Sequence, residues 1–221
     1  MPSKVYSAAI VGLDAKIIEI ETEVSYGLRS FTIVGLPDKA VEESKERIGA
    51  ALKSTGFKSP HSQPQRVLVN LAPADLRKEG SLYDLPIALG YLLVSNQIKS
   101  NLEDKIFIGE LSLDGRLRPI KGVLSFALKA KAENFSQIIL PKQNAPEAAL
   151  IEGLKVIGVE NLNQVISYIR GEIEIAPFKI EKEKLFEKIK YPVNLNWIKG
   201  QKYAKRALEI TVAAAHNLLR L

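Results

Sequence analysis

The N-terminal part of the chain alternates apolar and polar side chains with the period of two that is typical of β-strands. In the run AKIIEIETEVS, Ile18 and Ile20 fall on one side of an extended chain and Glu19 and Glu21 on the other. The neighbouring runs KVYSAAIVGL and LRSFTIVGL have the same character, and the runs are separated at Gly12, Gly27 and Gly35. The pattern predicts strands joined by short turns.

A helical pattern follows. Pro37 and Asp38 are suited to open a helix. Its predicted inner face consists of Val41, Ser44, Ile48, Ala51 and Leu52, with the charged side chains largely elsewhere. Gly56 is suited to end it as a C-cap.

Strand and helix signals also mark the middle of the chain. The polar loop KSPHSQPQ leads to the strand RVLVNLAP, and the helix DLPIALGYLLVS begins with Asp84 as its expected N-cap. Pro86 is compatible with this helix because it lies in the first turn. The segment IFIGELSLDGRLRPI predicts a hairpin with its turn at Asp114 and Gly115.

Helices and strands alternate beyond the hairpin. Helices are predicted at about residues 123–133, 145–151 and 162–169, and strands at QIILP and KVIGV. Hairpins come first and β-α alternation later, so the fold class is α/β (α+β) with a mixed sheet packed by helices.

From Arg170 onwards the chain becomes charged and contains Pro177 and Pro192. We interpret residues 171–195 as a linker between a domain at 1–170 and a separate block at 196–221. That block contains a helix through ALEITVAAA.

Composition narrows the class of protein. With 46% hydrophobic residues in 221, the chain can bury a substantial core. No apolar run approaches the roughly 20 residues of a membrane span, and the N-terminus lacks a secretory signal, so a cytoplasmic location without membrane contact is expected. The absence of cysteine excludes thiolate chemistry, and two histidines make a histidine-rich metal site implausible.

The chain is basic, with 31 lysines and arginines against 25 acidic residues and a formal net charge of +6. An acidic partner is favoured, and nucleic acid is the commonest candidate. The excess of charge is modest and does not distinguish this partner from others.

The C-terminal block carries a family resemblance. The segments IKGQ at 198–201, AKRALE at 204–209 and HNLL at 216–219 resemble the entry to an AAA+ ATPase module of the Mg-chelatase-like ComM/YifB family. The simpler interpretation is an amphipathic helix with a basic start, but the order and spacing of three segments favour the resemblance. It implies that Gly200 and Gln201 lie near the adenine of ATP, and that ATP and Mg²⁺ serve the full-length protein.

In that family a GPPGxGK(S/T) loop would come next and hold the ATP phosphates. This chain ends at Leu221, and no other GxxxxGK(S/T) occurs in it. We therefore expect that the chain binds no ATP and is not an enzyme by itself. Whether this end is natural stays open.

The domain at 1–170 agrees with the same resemblance, because the family's N-terminal domain is similar to the proteolytic domain of Lon, with a ribosomal-protein-domain-2-like fold. The matching segments are VGLPDKAVEESKERIGAAL, VNLAPADLRKEGSLYDLPIALGYL and GELSLDGRLRPIKGVL. Lon proteases use a Ser-Lys dyad, in which lysine accepts the serine proton. The resemblance puts Leu82 at the serine position and Leu124 at the lysine position, and two leucines cannot exchange a proton.

Ser81 and Lys121 lie close in sequence to these positions. A residual peptidase built from them would need both side chains within hydrogen-bond reach. The alternative is that Ser81 caps a helix and Lys121 is solvated.

Three other groups of residues have competing interpretations. Asp75, Glu79 and Asp84 could bind magnesium, but capping and solvation are favoured, so no metal site is predicted. Trp197 is interpreted as a docking anchor between the linker and the ATPase module. His216 is interpreted as a structural residue.

Basic side chains in three loops form the candidate DNA-binding set. If loops at one edge of the sheet bring them together, they would bind phosphates with strong salt dependence and little sequence preference. The alternative is a scattered solvated surface. The set consists of Lys58, His61, Arg66, Arg77, Lys78, Arg116, Arg118 and Lys121.

The resemblance implies a DNA-remodelling motor that works as a hexamer on transforming or recombining DNA. In it this chain would be a catalytically inert domain that helps DNA contact or assembly. The alternatives are an oligomerisation platform without DNA binding and the residual Ser-Lys peptidase. Metal chelation has no support in these residues.

Overall fold

The computed structural model describes residues 2–180, 194–215 and 217. The chain divides into two compact units, Met1–Ile180 and Glu181–Leu221. The division falls inside the segment interpreted as a linker.

The strands of the first unit lie where period-two alternation or short apolar runs occur. They are β1 (Ser3–Val11), β2 (Asp14–Tyr26), β3 (Ser30–Val34), β4 (Gln65–Ala72), β5 (Lys105–Phe107), β6 (Glu110–Leu111), β7 (Leu117–Arg118), β8 (Gln137–Pro141) and β9 (Lys155–Val159).

The helices of the first unit are α1 (Lys39–Glu42), α2 (Ser44–Ser54), α3 (Asp84–Val94), α4 (Val123–Ala132), α5 (Ala145–Ala148) and α6 (Leu162–Ile169). The second unit contains α7 (Lys202–Ala214), preceded by a 3₁₀ turn at Leu195–Trp197.

Seven strands form one sheet in the order β3-β4-β2-β1-β5-β8-β9, while β6 and β7 form a separate hairpin. β2 pairs antiparallel with β1 and β4, and the β3-β4, β1-β5, β5-β8 and β8-β9 pairs are parallel. The predicted α/β class with a mixed sheet is confirmed.

Two hydrophobic clusters hold helices against the sheet. The larger contains Ile48 of α2, Leu89 of α3 and Val165 of α6 together with strand residues such as Ile20. The second joins Phe126 of α4 and residues of α5 to β1, β5, β8 and β9.

The single helix predicted from Asp38 to Gly56 is wrong, because α1 and α2 are separated at Glu43. Asp38 caps α1 by accepting from the Val41 amide at 2.8 Å. The Ser44 hydroxyl donates to the Val41 carbonyl at 2.6 Å, so a side chain competes for a carbonyl that a continuous helix would use.

The predicted hairpin at Asp114 and Gly115 is confirmed. Gly115 has a φ of 83° and its amide donates to the Ser112 carbonyl at 2.8 Å. The Asp114 carboxylate accepts from the Ser112 hydroxyl at 2.6 Å and stabilises the turn.

Candidate functional site

The start of α3 lies against the β6-β7 hairpin. The Gly109 amide donates to the Leu82 carbonyl at 2.9 Å, and the Leu85 amide donates to the Gly109 carbonyl at 3.1 Å. These bonds hold residues 81–84, the segment matched to the Lon nucleophile, beside Glu110.

Apolar side chains occupy both positions matched to the Lon dyad. Leu82 is partly buried and packs against both hydrophobic clusters. Leu124 is 37% exposed in the first turn of α4, where its amide donates to Glu147 at 3.0 Å. Neither side chain can donate or accept a proton, so this pair supplies no nucleophile and no base.

Ser81 has a different partner from the one that a residual peptidase needs. Its hydroxyl donates to Glu110 Oε2, and Glu110 also accepts from Arg118 Nη1 at 3.2 Å. Lys121 is exposed to solvent. The expectation that Ser81 caps a helix is wrong, because its side chain is turned towards the hairpin.

A buried ion pair lies beside this contact. Arg47 Nε and Nη2 donate to the two oxygens of Asp84 at 2.8 and 3.0 Å, and the Leu111 amide donates to the same carboxylate at 3.1 Å. The expected N-cap role of Asp84 is wrong, because α3 begins at Asp84 with Tyr83 as its cap. The carboxylate joins α2, α3 and the hairpin instead.

Burial dominates the titration of Asp84 and raises its pKa from 3.8 to about 6, against the lowering effect of Arg47. The hydrogen bond to Asp84 raises the pKa of Arg47. The dominant causes differ because the Asp84 side chain is fully buried whereas that of Arg47 is 20% exposed.

The residues weighed as magnesium ligands do not converge. Asp84 is held by Arg47, and Glu79 pairs with Arg77 at 3.3 Å. Across residues 2–180, 194–215 and 217, no cluster of three acidic or histidine side chains could hold a metal ion.

The prediction that Lys78 belongs to the DNA-binding set is wrong. Its side chain is fully buried, and its ammonium group donates to the carbonyls of Gly35, at 2.8 Å, and Pro73. Burial lowers its pKa. Lys78 therefore holds two loops together and presents no charge at the surface, where a phosphate would bind.

The remaining basic residues differ in whether they form ion pairs. Arg77, Arg116 and Arg118 pair with Glu79, Asp114 and Glu110 at 3.3, 2.7 and 3.2 Å. Lys58, Arg66 and Lys121 are exposed and have no ion pair within the described residues. His61 faces inward, with its ring centroid 6.2 Å from that of Phe31.

The fold also separates basic residues that were expected to meet at one edge of the sheet. Arg66 lies at the start of β4 and Arg77 follows its end. A strand of 8 residues is about 26 Å long, so these loops lie at opposite ends of the sheet. Chain order alone did not show this separation.

In the second unit, Gly200 and Gln201 immediately precede α7. Both are exposed and have positive φ angles of 75° and 51°. Trp197 is exposed in the 3₁₀ turn. His216 lies outside the described residues. The proposed adenine contact and the docking role of Trp197 stay predictions.

The mixed sheet packed by helices defines an α/β domain, and its sequence is similar to Lon proteases. This chain is 26% identical over 179 residues to a Lon protease of Karelsulcia muelleri, covering 75% of this chain and 20% of that protease.

Residues 20–144 match the family described as subunit ChlI of Mg-chelatase. The chain is 40% identical over 220 residues to the competence protein ComM of Haemophilus influenzae and 36% identical over 220 residues to the protein YifB of Escherichia coli. Each match covers 98% of this chain and 42% of the relative. The chain belongs to this Mg-chelatase-like ComM/YifB family, which is of the AAA+ ATPase type.

Among the described residues, no helix combines the length and the apolar character that crossing a membrane requires.

Proposed function

We propose that this chain is a non-catalytic accessory domain of a ComM/YifB-type AAA+ ATPase and that it contacts DNA for the motor. The observation that carries the proposal is the family match together with leucines at both positions of the Lon dyad. The domain keeps a Lon-like fold while the residues that would perform peptide hydrolysis are apolar.

DNA contact is supported by exposed cations that have no acidic partner among the described residues. Arg66, Lys58 and Lys121 can offer full charges to phosphates, whereas Arg77, Arg116 and Arg118 already face carboxylates. Phosphate contacts of this kind release counterions and are weakened by salt. The relative from Haemophilus influenzae is named a competence protein, which agrees with a role in handling DNA.

ATP and Mg²⁺ are proposed as cofactors of the whole protein. Within this chain, only Gly200 and Gln201 are proposed to lie near the adenine, and their backbone at the start of α7 is exposed. ATP supplies the energy for remodelling, and the residues of the first unit take no part in its hydrolysis.

The test is a gel shift of the chain with single-stranded, duplex and branched DNA at two salt concentrations. We expect binding at 50 mM salt that weakens about tenfold to thousandfold at 200 mM, as for a few phosphate contacts. The absence of binding to every DNA at low salt would contradict DNA contact by this domain.

A second candidate function is assembly of the motor without DNA contact. It is favoured by an apolar groove beside the β1-β2 turn, with a volume of about 410 Å³ and exposed Leu13 and Leu128 on its walls. The Ser125 hydroxyl donates to the Leu13 carbonyl at 3.1 Å and joins α4 to this turn. Light scattering distinguishes this function by showing a higher-order species in the absence of DNA.

A further inference from the structure

We infer that the outer edge of β3 pairs with β3 of a second copy of this chain, antiparallel and centred on Thr32. The seven-stranded sheets of the two copies would then continue into one another across a twofold axis. This surface differs from the groove at Leu13 and Leu128, and the inference does not depend on DNA contact.

β3 is an edge strand with no backbone partner on its outer side. It lies at the end of the strand order and pairs only with β4. Within the described part of the chain, no further backbone hydrogen bond involves residues 30–34. The unpaired amides and carbonyls along such an edge are a template for another strand.

The opposite edge of the sheet, β9, is partly covered by the chain itself. The Phe178 amide donates to the Val156 carbonyl of β9 at 2.8 Å. β3 has no comparable cover among the described residues. The two edges of the sheet therefore differ, and β3 is the one available to another strand.

The sequence of β3 lacks the features that usually keep exposed edges apart. Natural edge strands are commonly protected by lysine, proline or a β-bulge. Ser30–Val34 reads SFTIV, with no charge and no proline. Phenylalanine, threonine, isoleucine and valine all favour extended backbone. This strand therefore favours pairing along its free edge.

The occupant follows from the symmetry of the strand about Thr32. Antiparallel pairing centred there keeps all five residues of β3 paired. It sets Phe31 of one copy opposite Ile33 of the other, and Thr32 opposite Thr32. Aromatic side chains opposite β-branched ones, and threonine opposite threonine, stabilise antiparallel pairs.

The residues that flank β3 continue this symmetry. Leu28 lies four positions before Thr32 and Leu36 four positions after it. They are 94% and 55% exposed. The pairing brings Leu28 of one copy towards Leu36 of the other, where association can remove apolar surface from water. An extended segment of unrelated sequence would not supply this match, so a second copy is favoured.

The twofold axis also preserves the faces of the sheet. Phe31 and Ile33 are buried in the larger hydrophobic cluster, whereas Thr32 between them points to the other face. Directly opposed residues of an antiparallel pair share a face. The apolar face of one sheet would therefore continue as the apolar face of the other.

The contact is expected to be reversible. A strand of 5 residues is about 17 Å long, and pairing over that length is smaller than a standard stable interface. The same surface is used by both copies, so the contact closes at two copies. We expect a dimer that dissociates on dilution.

Single cysteine substitutions test the pairing directly, because the chain contains no cysteine. Thr32→Cys places two thiols at directly opposed positions, where antiparallel Cα atoms are about 4.5–5.5 Å apart. This separation allows a disulfide. We expect a disulfide-linked dimer after mild oxidation, detected on a non-reducing gel.

Ser30→Cys is the matched control, because position 30 lies on the same strand and the same face. Its counterpart in the second copy is four residues further along the strand, about 13 Å away, which is too far for a disulfide. Ser30→Cys alone is expected to stay unlinked. Combined with Val34→Cys it is expected to link, since positions 30 and 34 oppose each other. Equal linking of Ser30→Cys and Thr32→Cys would overturn the inference.

Sedimentation velocity over a series of concentrations measures the reversible dimer. Thr32→Lys sets two like charges directly opposite each other and is expected to weaken the dimer about fivefold or more. Thr32→Val retains the β-branched shape and is expected to retain the dimer. Thermal unfolding of each variant checks that the domain still folds.

Two results would overturn the inference. If the unmodified chain is monomeric at every concentration and Thr32→Cys stays unlinked, the edge does not pair with a second copy and is left to an extended segment of another protein. If a dimer forms but Thr32→Lys does not weaken it, another surface makes the contact. The gel shift with DNA is decided separately from both results.

Discussion

The carboxylate of Asp84 is fully buried and is held by two nitrogen atoms of Arg47. Because burial raises the pKa of Asp84 to about 6 from 3.8, the folded state binds a proton more readily than the unfolded state between these values. Ionisation of Asp84 therefore lowers stability as the pH rises through that window. At neutral pH the ionised carboxylate depends on Arg47 as its counter-charge.

Arg47→Met tests this dependence. We expect a loss of about 3–5 kcal/mol in the free energy of unfolding at pH 7, because the substitution leaves a buried carboxylate without a counter-charge. The loss should shrink as the pH falls and Asp84 is protonated. Urea unfolding at several pH values measures it.

The double variant Arg47→Met with Asp84→Asn is the control. It removes both charges and is expected to recover most of the lost stability. A loss that does not change with pH, or that the second substitution does not reduce, would contradict the assignment to Asp84.

Single residues also show where sequence reasoning failed. Lys78 and Arg77 are adjacent basic residues in a polar segment, yet one is fully buried against carbonyl oxygens and the other is exposed. Composition and local pattern are the same for both. The difference arises because the loop after β4 folds back onto residues 35–38.

Among the elements, the β3-α1 connection shows how closely two backbones pack. Gly35 has a φ of 101°, and a Cβ atom there would lie 2.2 Å from the Leu71 carbonyl oxygen of β4. The Gly35 carbonyl also accepts a hydrogen bond from the Lys78 ammonium group. The positive φ, the close approach to β4 and this hydrogen bond therefore all constrain Gly35.

Gly35→Ala is expected to destabilise the domain by more than about 2 kcal/mol, since the strained φ adds to a clash with a backbone atom that cannot move freely. Gly12→Ala is the matched control, because Gly12 has a φ of 67° with open space around it. This control should show only the conformational cost of about 1–2 kcal/mol. Equal losses in thermal or urea unfolding would contradict the predicted clash.

Most elements were predictable because their signals are local. The strands at QIILP and KVIGV and the helix at 162–169 agree with β8, β9 and α6 at both ends, and the Asp114-Gly115 turn is confirmed. The break at Glu43 was not predicted, because the apolar spacing continues across it. At this break the Ser44 hydroxyl donates a hydrogen bond to the Val41 carbonyl, which a continuous helix would use for a backbone hydrogen bond.

At the scale of the whole molecule, the apolar groove and Arg66 lie in different places. The groove with Leu13 and Leu128 lies at the β1-β2 turn and α4, while Arg66 lies at the start of β4, beside the end of β2. Assembly and DNA contact are therefore separable by substitution.

Leu128→Glu is expected to disrupt self-association if the groove is the contact between copies, because a charge would be placed in an apolar interface. Size-exclusion chromatography with light scattering measures the change, which should leave DNA affinity per chain nearly unchanged. Lys129→Glu changes charge on the neighbouring groove wall while retaining Leu128, and it should have a smaller effect. Equal loss of self-association in the two variants would contradict an apolar contact through Leu128.

The sequence by itself determined most of the elements, the α/β class and the family resemblance, because each depends on residues close together in the chain. The tertiary structure decided which charges are available. It buried Lys78, paired Asp84 with Arg47 across 37 positions and separated Arg66 from Arg77 along β4. It also placed Ser25 and Ser30 on either side of Arg66, because strand order is set by packing between distant segments and is not contained in any local pattern.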